Sequence, residues 1–294
     1  MFKQYLINAR LYSCVDVIFL GLLAKFSVTN TLTFDLFDLI VAASMASLRF
    51  FSSLLLELKH NYTYRGEISL SIILPLIFFP ILIGIKYNYT SLAVTAATML
   101  FISFYLSKNK GGLIGINNML LRGMVQLCYF VYASTIYGSG SWPNKQFILG
   151  IIIFLIYSAR GLVADLRDAV HNSEMGKQTF PVAFGLIKSR ILVLLFLIIA
   201  SFIQYMYFKS ILSIIPILIY MSGIFIYQNS YVLHQLMIMT TMFFHISTIT
   251  LLTGNNLIFI NLIYLGIFLN QIFYPILKRK SNPTFIQENE LSLP

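Results

Sequence analysis

The chain has 294 residues, of which 58% are hydrophobic and only 10% are charged, and its mean hydropathy is +0.82. This balance is typical of an integral membrane protein and excludes an ordinary soluble domain. The net charge of +10 could suit a nucleic-acid-binding protein. However, the basic residues lie in short connections between apolar runs, which favours a topological role and predicts no nucleic-acid partner.

Ten apolar runs succeed one another along the chain, and many are close to the length that a helix needs to cross a bilayer. Their ranges are 11–27, 34–58, 68–86, 90–106, 113–138, 146–164, 188–208, 210–227, 231–252 and 256–276. The alternation typical of β-barrel strands is absent, so the sequence predicts an all-α fold. We expect a polytopic membrane helix bundle with about nine transmembrane helices, nine or ten from hydropathy.

The first run is short and follows two basic residues, like a signal peptide, but no small-x-small cleavage site comes after it. We therefore expect it to be a helix of the mature protein. No polar stretch between the runs is long enough for a soluble domain, which predicts a single membrane domain over 1–294 with a polar tail at 281–294.

The basic residues concentrate in alternate connections. They are Lys3 and Arg10, Lys59 and Arg65, Lys108 and Lys110, and the group Arg160, Arg167, Lys177, Lys188 and Arg190. By the positive-inside rule these connections face the cytoplasm, which suggests a multi-pass protein of the cytoplasmic membrane.

Three oxygen-bearing side chains lie at the end of the sixth run. Asp165, Asp168 and Asn172 are spaced i, i+3 and i+7, so on a helix they fall within a wedge of about 60°. Such a face suits Mg²⁺, which is usually held by one or two carboxylates together with substrate phosphate oxygens. The alternative is a solvated helix end. Gly176-Lys177 and the residues after them favour a tight turn and a rigid entry into the next helix.

The segment 157–185 resembles the second aspartate-rich motif of the UbiA-type intramembrane prenyltransferases, approximately R-x-x-x-K-D-x-x-D-x-x-x-D-x-x-x-G-K-x-T-x-P-x-x-x-G. It departs from this pattern at Ala164, where many members have Lys, and at Asn172, where they have Asp. The spacing is kept throughout. The matching residues are Arg160, Asp165, Asp168, Gly176, Lys177, Thr179, Pro181 and Gly185.

The family has a first aspartate-rich motif at the end of its second helix, and the corresponding stretch here is degenerate. Glu57 and Asn61 share a helix face and could supply oxygen ligands, but Arg65 stands at the next position in register. Tyr105 and Lys110 resemble a further family motif after the fourth helix.

The resemblance implies that a prenyl group is transferred from a polyprenyl diphosphate to a small-molecule acceptor, aromatic or quinone-precursor, within the membrane. It implies Mg²⁺ on Asp165, Asp168 and Asn172, with a second ion on Glu57 and Asn61. The candidate diphosphate ligands are Arg160, Lys177, Lys110 and Arg122. A membrane terpene cyclase and a non-catalytic membrane protein or transporter remain alternatives, and no obligate protein partner is inferred.

Other polar residues within the apolar runs have simpler explanations. Asn118, Arg122 and Gln126 form one stripe, which indicates a face turned to the bundle interior, structural or phosphate-binding. His234 and His245 also share a helix face, and we expect a structural pair rather than a base. The remaining acids, Asp16, Asp35 and Asp38, could be interfacial and are assigned no chemistry.

Overall fold

The computed structural model describes residues 12–30, 33–60, 70–106, 114–138, 144–174, 176–226, 230–257, 260–261 and 263–265. Within these ranges the regular structure is helical, without strands, which confirms the all-α prediction. The helices are α1 Tyr12–Thr29, α2 Leu36–His60, α3 Leu70–Tyr87, α4 Thr90–Leu106, α5 Ile114–Tyr137, α6 Asn144–Arg167, α7 Ala169–Glu174, α8 Phe180–Phe184, α9 Leu186–Phe208, the 3-10 helix Ile211–Ser213, α10 Ile215–Ile226 and α11 Ser230–Thr253.

The first nine apolar runs each coincide with a helix of this set. Within the described ranges, five helices contain stretches long and apolar enough to cross a membrane, in α2, α5, α6, α9 and α11. This confirms an integral membrane protein. The tenth run lies largely outside the described residues, as does the polar tail, so nine or ten crossings stays a prediction.

Helix α6 lies at the centre of the bundle and packs against α1, α5, α9 and α11. Of its apolar stretch 78% is buried, against only 22% of α9, whose side chains such as Ile187 and Phe202 are exposed. An apolar surface of this kind is typical of a helix that faces lipid or another protein. One apolar cluster contains residues from each of the helices α1 through α6 and from α11. A second cluster contains residues from α5, α6 and each of the helices α8 through α11.

Two glycines allow α5 and α6 to approach closely. A Cβ atom on Gly123 would lie 2.2 Å from Ser158 Oγ and 2.6 Å from the Phe154 carbonyl oxygen. In the other direction, a Cβ on Gly161 would lie 3.0 Å from Cδ of Arg122. Small residues at such crossings let membrane helices pack backbone against backbone. The close approach sets the position of the polar residues on both helices.

Polar side chains tie the helices together at the end where α6 begins. Asp35 and Asp38 cap the start of α2 reciprocally, because each carboxylate accepts from the other residue's backbone N–H. Asp38 also forms a buried ion pair with Lys25 of α1 and accepts a 3.0 Å hydrogen bond from the Tyr137 hydroxyl of α5. Asp38 is therefore buried between helices at this end of the bundle, with only 7% of it exposed.

Further hydrogen bonds join the loops at the same end. Asn88 donates to the Thr135 carbonyl at 2.6 Å, Lys145 donates to Asn30 at 2.8 Å, and Gln146 donates to the Ser27 carbonyl at 3.2 Å. These contacts connect the end of α1 to the start of α6, and the α3–α4 turn to the end of α5. This closed end is opposite the carboxylates of 165–172, because α6 runs from one end to the other.

Candidate functional site

Asp165 and Asn172 lie on one face because helical hydrogen bonding continues beyond the last residue of α6. The Asp168 N–H donates to the Ala164 carbonyl at 3.1 Å, and the Asn172 N–H donates to the Asp168 carbonyl at 2.8 Å. Asp165 is 5% exposed and Asn172 is 2% exposed. The Asp168 side chain is more open, at 28%. The three predicted oxygen donors therefore lie on consecutive turns, two buried and one near solvent.

Gly176 ends this helical segment in a way that glycine favours. Its φ is +65°, in the left-handed region where a side chain is strained. The Gly176 N–H donates to the Ser173 carbonyl at 2.9 Å, and the Lys177 N–H donates to the Asn172 carbonyl at 2.8 Å. This pair of bonds is the Schellman motif. The Gly-Lys step therefore stops the helix two residues after Asn172 and fixes the orientation of that residue, as the tight turn predicted from sequence requires.

Thr179 and Pro181 then begin the short helix α8. Thr179 has extended backbone angles at the N-cap, and Pro181 lies within the first two helical positions. The Thr179 hydroxyl is buried and has no hydrogen-bond partner within the described part of the chain. Gly185, with φ +89°, separates α8 from α9. This arrangement confirms a rigid re-entry rather than an open loop.

Arg167 pairs with Asp168 and also contacts His234. Arg167 Nε lies 2.6 Å from one Asp168 oxygen, and Arg167 Nη2 lies 2.8 Å from the other. The third arm of the guanidinium, Nη1, lies 3.3 Å from Nε2 of the His234 ring on α11. A guanidinium that covers both oxygens of one carboxylate is the strongest form of this ion pair.

Arg160 is held by an acid that sequence reasoning passed over. Arg160 Nη2 lies 2.7 Å from Asp16 of α1, and both side chains are buried, at 5% and 9% exposure. Asp16, to which the sequence assigned no chemistry, therefore pairs with Arg160 inside the bundle. The signal available in the sequence was an acid inside an apolar run, which must face the bundle interior and find a partner.

A further polar pair lies deeper along α6. The Tyr157 hydroxyl is 3.4 Å from Nε2 of His245, which is fully buried on α11. His245 and His234 thus both face α6, as their shared helix face predicts. The guanidinium of Arg160 also lies 5.7 Å from the centre of the Tyr157 ring.

The polar stripe of α5 faces inward as predicted. Asn118 and Gln126 are 3% and 7% exposed, and Arg122 is partly buried with its aliphatic part against Gly161 of α6. Arg49 of α2 was not anticipated. Its side chain is partly buried.

The other predicted site residues fall at or beyond the limits of description. Glu57 is in the last turn of α2, whereas Asn61 and Lys110 lie outside the described residues. Lys177 is partly buried directly after Gly176.

The donor set at 165–172 fits Mg²⁺ as one part of a site. Two carboxylates and one amide oxygen are hard ligands, and a magnesium ion commonly completes its shell with water and substrate phosphate. Within the described ranges no group of three His, Cys, Asp or Glu side chains could hold a metal ion. A metal ion held by these oxygens would need further ligands, such as water or substrate phosphate oxygens.

No protein-family model matches the chain. A digeranylgeranylglyceryl phosphate synthase from Sulfurisphaera tokodaii is 29% identical over 154 residues, which cover 51% of this chain and 54% of that protein. The chain thus matches about half the length of this curated relative.

Solved structures resemble the chain over most of its length. A structure described as digeranylgeranylglyceryl phosphate synthase in membranes has a TM-score of 0.65 at 16% identity, covering 87% of this chain and 100% of that one. A UbiA homologue from Archaeoglobus fulgidus bound to Cd²⁺ has a TM-score of 0.59 at 13% identity, covering 93% and 99%. The same homologue bound to DMAPP and Mg²⁺ has a TM-score of 0.56 at 12% identity, with the same coverage.

The fold and these likenesses define the chain as an integral membrane protein of helical architecture. That architecture is the UbiA-type fold, so the relationship predicted from the motif at 157–185 is confirmed at the level of the fold.

Proposed function

We propose that this protein transfers a prenyl group from a polyprenyl diphosphate to a small-molecule acceptor inside the membrane. The observation that carries the proposal is the oxygen-bearing face of Asp165, Asp168 and Asn172, fixed at a helix end by the Gly176 turn. Its location in a UbiA-type fold supports the same activity, because solved relatives include a homologue bound to DMAPP and Mg²⁺.

Asp165, Asp168 and Asn172 would hold Mg²⁺ at the cytoplasmic membrane face. When bound, the ion neutralises the diphosphate and stabilises it as a leaving group. Asp165 and Asn172 are buried, so water would screen a cation held by them less than at the protein surface. Asn172 supplies an oxygen without charge, so the ion would be held less strongly than by three acids.

Several cations are placed to bind the phosphate oxygens. Lys177 follows the Gly176 turn directly, and Arg160 lies just over one helical turn before Asp165. Arg122 approaches the same part of α6 from α5. We assign the three a phosphate-binding role, with Arg160 oriented by Asp16, and we extend that role to Lys110.

The second half of the site would come from α2. Glu57 and Asn61 are proposed to hold a second ion across from Asp165. Two acids fewer than the family pattern weaken that ion, since unit charges about 4 Å apart attract by roughly 4 kcal/mol at an effective dielectric of 20. Ionisation through the ligands of 165–172 alone is therefore part of the proposal.

The surroundings of the carboxylates favour transfer over hydrolysis. The carbon–oxygen bond of the substrate breaks with its electron pair on the diphosphate, and the allylic cation then bonds to the acceptor, which loses a proton. The interior of the bundle below Asp165 contains buried aromatic side chains, among them Phe19, Tyr129 and Tyr157. Such rings attract a cation and exclude water, which would otherwise trap it as the alcohol.

The acceptor is proposed to be aromatic or a quinone precursor, with a glyceryl phosphate as the second class to be tested. The second class is suggested by the matched relative, a digeranylgeranylglyceryl phosphate synthase. A membrane terpene cyclase would use the same diphosphate chemistry without an acceptor.

The test is incubation of membranes with prenyl diphosphates of graded length and a panel of both acceptor classes, with adducts and released diphosphate measured. We expect Mg²⁺-dependent adducts that are lost in Asp165→Ala and Asp168→Ala. Glu174→Ala is the matched control, because this carboxylate is exposed and belongs to the same short segment.

Each other outcome excludes part of the proposal. A cyclic hydrocarbon formed from the diphosphate alone would identify a cyclase. Diphosphate release that is equal in wild type, Asp165→Ala and Asp168→Ala would refute the site, and no release with any substrate would favour a non-catalytic membrane protein.

A further inference from the structure

Asp168 is already paired with a positively charged side chain of the protein, Arg167. Both of its oxygens face the Arg167 guanidinium, at 2.6 Å from Nε and 2.8 Å from Nη2. The two side chains are 26% and 28% exposed, so water screens the pair only in part. The oxygens that the proposed metal needs are thus the ones that Arg167 covers.

Arg167 and a divalent ion compete for these oxygens. A bidentate guanidinium lies in the plane of the carboxylate along its open edge, where a chelating metal ion would also approach. The two cations would moreover repel each other at this distance. A metal ion that binds Asp168 along this edge therefore displaces Nε and Nη2.

His234 keeps the displaced guanidinium near the site. Its ring is 5% exposed on α11 and lies 3.3 Å from Arg167 Nη1, the arm that does not contact Asp168. This arm also lies 3.4 Å from Nδ1 of the same ring, so it sits against the imidazole, whose unprotonated nitrogen can accept a hydrogen bond from it. If that contact is kept, Nε and Nη2 can turn away from Asp168 while the guanidinium stays beside it.

We propose that Arg167 is a placeholder cation, which neutralises Asp168 before substrate binds and then moves to the oxygens of the diphosphate as the metal takes its place. His234 is a positioning residue that holds the guanidinium during this exchange. The inference rests on the proposed function, because it assumes a metal and a diphosphate at Asp168.

The proposal predicts opposite effects of one substitution on two ligands. Removing the guanidinium in Arg167→Ala frees Asp168, so binding of Mn²⁺ alone is expected to tighten about fivefold, the scale of a partly exposed ion pair. Inorganic diphosphate in the presence of Mn²⁺ is expected to bind at least about tenfold more weakly, because charge-assisted hydrogen bonds are lost. A purely structural ion pair would instead weaken both.

Both affinities are measured on the detergent-solubilised full chain, by the electron paramagnetic resonance of free Mn²⁺ with and without inorganic diphosphate. His234→Ala is expected to weaken diphosphate binding with little effect on the metal alone, and His234→Gln, which keeps an acceptor, should restore it. Lys188→Ala removes an exposed cation at the start of α9 and is expected to change neither affinity.

The outcomes separate the inference from the proposed function. If Asp165→Ala abolishes Mn²⁺ binding but Arg167→Ala leaves it unchanged or weaker, the metal site stands and the placeholder is wrong. If His234→Ala leaves diphosphate affinity unchanged, the positioning role is wrong. If wild type and Arg167→Ala bind no more Mn²⁺ than Asp165→Ala, the proposed metal site and the proposed role of Arg167 are both wrong.

Discussion

The buried ion pair between Asp16 and Arg160 gives the sharpest test of the structure. Asp16→Asn removes the negative charge 2.7 Å from Nη2 of Arg160, a guanidinium side chain that is only 5% exposed. At an effective dielectric of 20, unit charges at this separation attract by about 6 kcal/mol. Part of this attraction offsets the cost of burial, so we expect the single substitution to cost about 3–5 kcal/mol.

The double substitution Asp16→Leu with Arg160→Met separates lost charge from lost contact. Replacing both partners of a buried pair by apolar residues is often neutral, so the double variant is expected to be more stable than Asp16→Asn. Cys128 is buried, and its reaction with a thiol-reactive dye reports unfolding in detergent. For Asp16→Asn we expect the melting midpoint to fall by about 6–20 °C.

Two results would refute this expectation. One is a melting midpoint of Asp16→Asn equal to that of the wild type, and the other is a double variant with the same low midpoint as the single variant. The first result would mean that no buried charge is left uncompensated. The second would mean that the two side chains matter for their shape. Glu174→Gln, which neutralises an exposed acid, is the control and should not change the midpoint.

Three other substitutions test separate parts of the fold by the same melting measurement. Gly123→Ala places a Cβ 2.2 Å from Ser158 Oγ, so it is expected to cost about 1–3 kcal/mol. Gly176→Ala meets no atom within 4 Å but must keep φ +65°, and a smaller loss of about 1 kcal/mol is expected. Tyr137→Phe removes the 3.0 Å hydrogen bond to Asp38 and should cost about 1–3 kcal/mol without changing Mn²⁺ affinity, because it lies at the closed end.

Hydropathy and helix periodicity were sufficient for the elements. The run 90–106 coincides with α4, and the run 146–164 falls inside α6. The first run also proves to be a packed helix, in which Leu20 and Leu23 are fully buried. The shared face of Asp165 and Asn172 follows from spacing alone, because seven residues make almost two turns of any α-helix.

Hydropathy and helix periodicity could not predict contacts between distant parts of the chain. Asp16 and Arg160 are 144 positions apart, and no periodicity within α1 or α6 relates them. The bond between Arg167 and Asp168 depends on how two neighbouring side chains fold back on each other, and spacing predicts only that they point to different faces. Asp16 was interpreted as interfacial because charge matching by a partner is a property of the bundle, not of the run.

With the diphosphate at its proposed position, the hydrogen-bonded end opposite Asp165 would limit the length of a prenyl chain lying along α6. At about 1.5 Å per residue, about 30 Å of α6 separates Asp165 from Gln146, whose amide donates to the Ser27 carbonyl at the far end. A chain that lay along α6 with its phosphates at Asp165 would meet hydrogen-bonded loops at that depth. A longer chain would have to leave sideways between helices into the lipid. The protein would then not select the length of the part that lies in the bilayer.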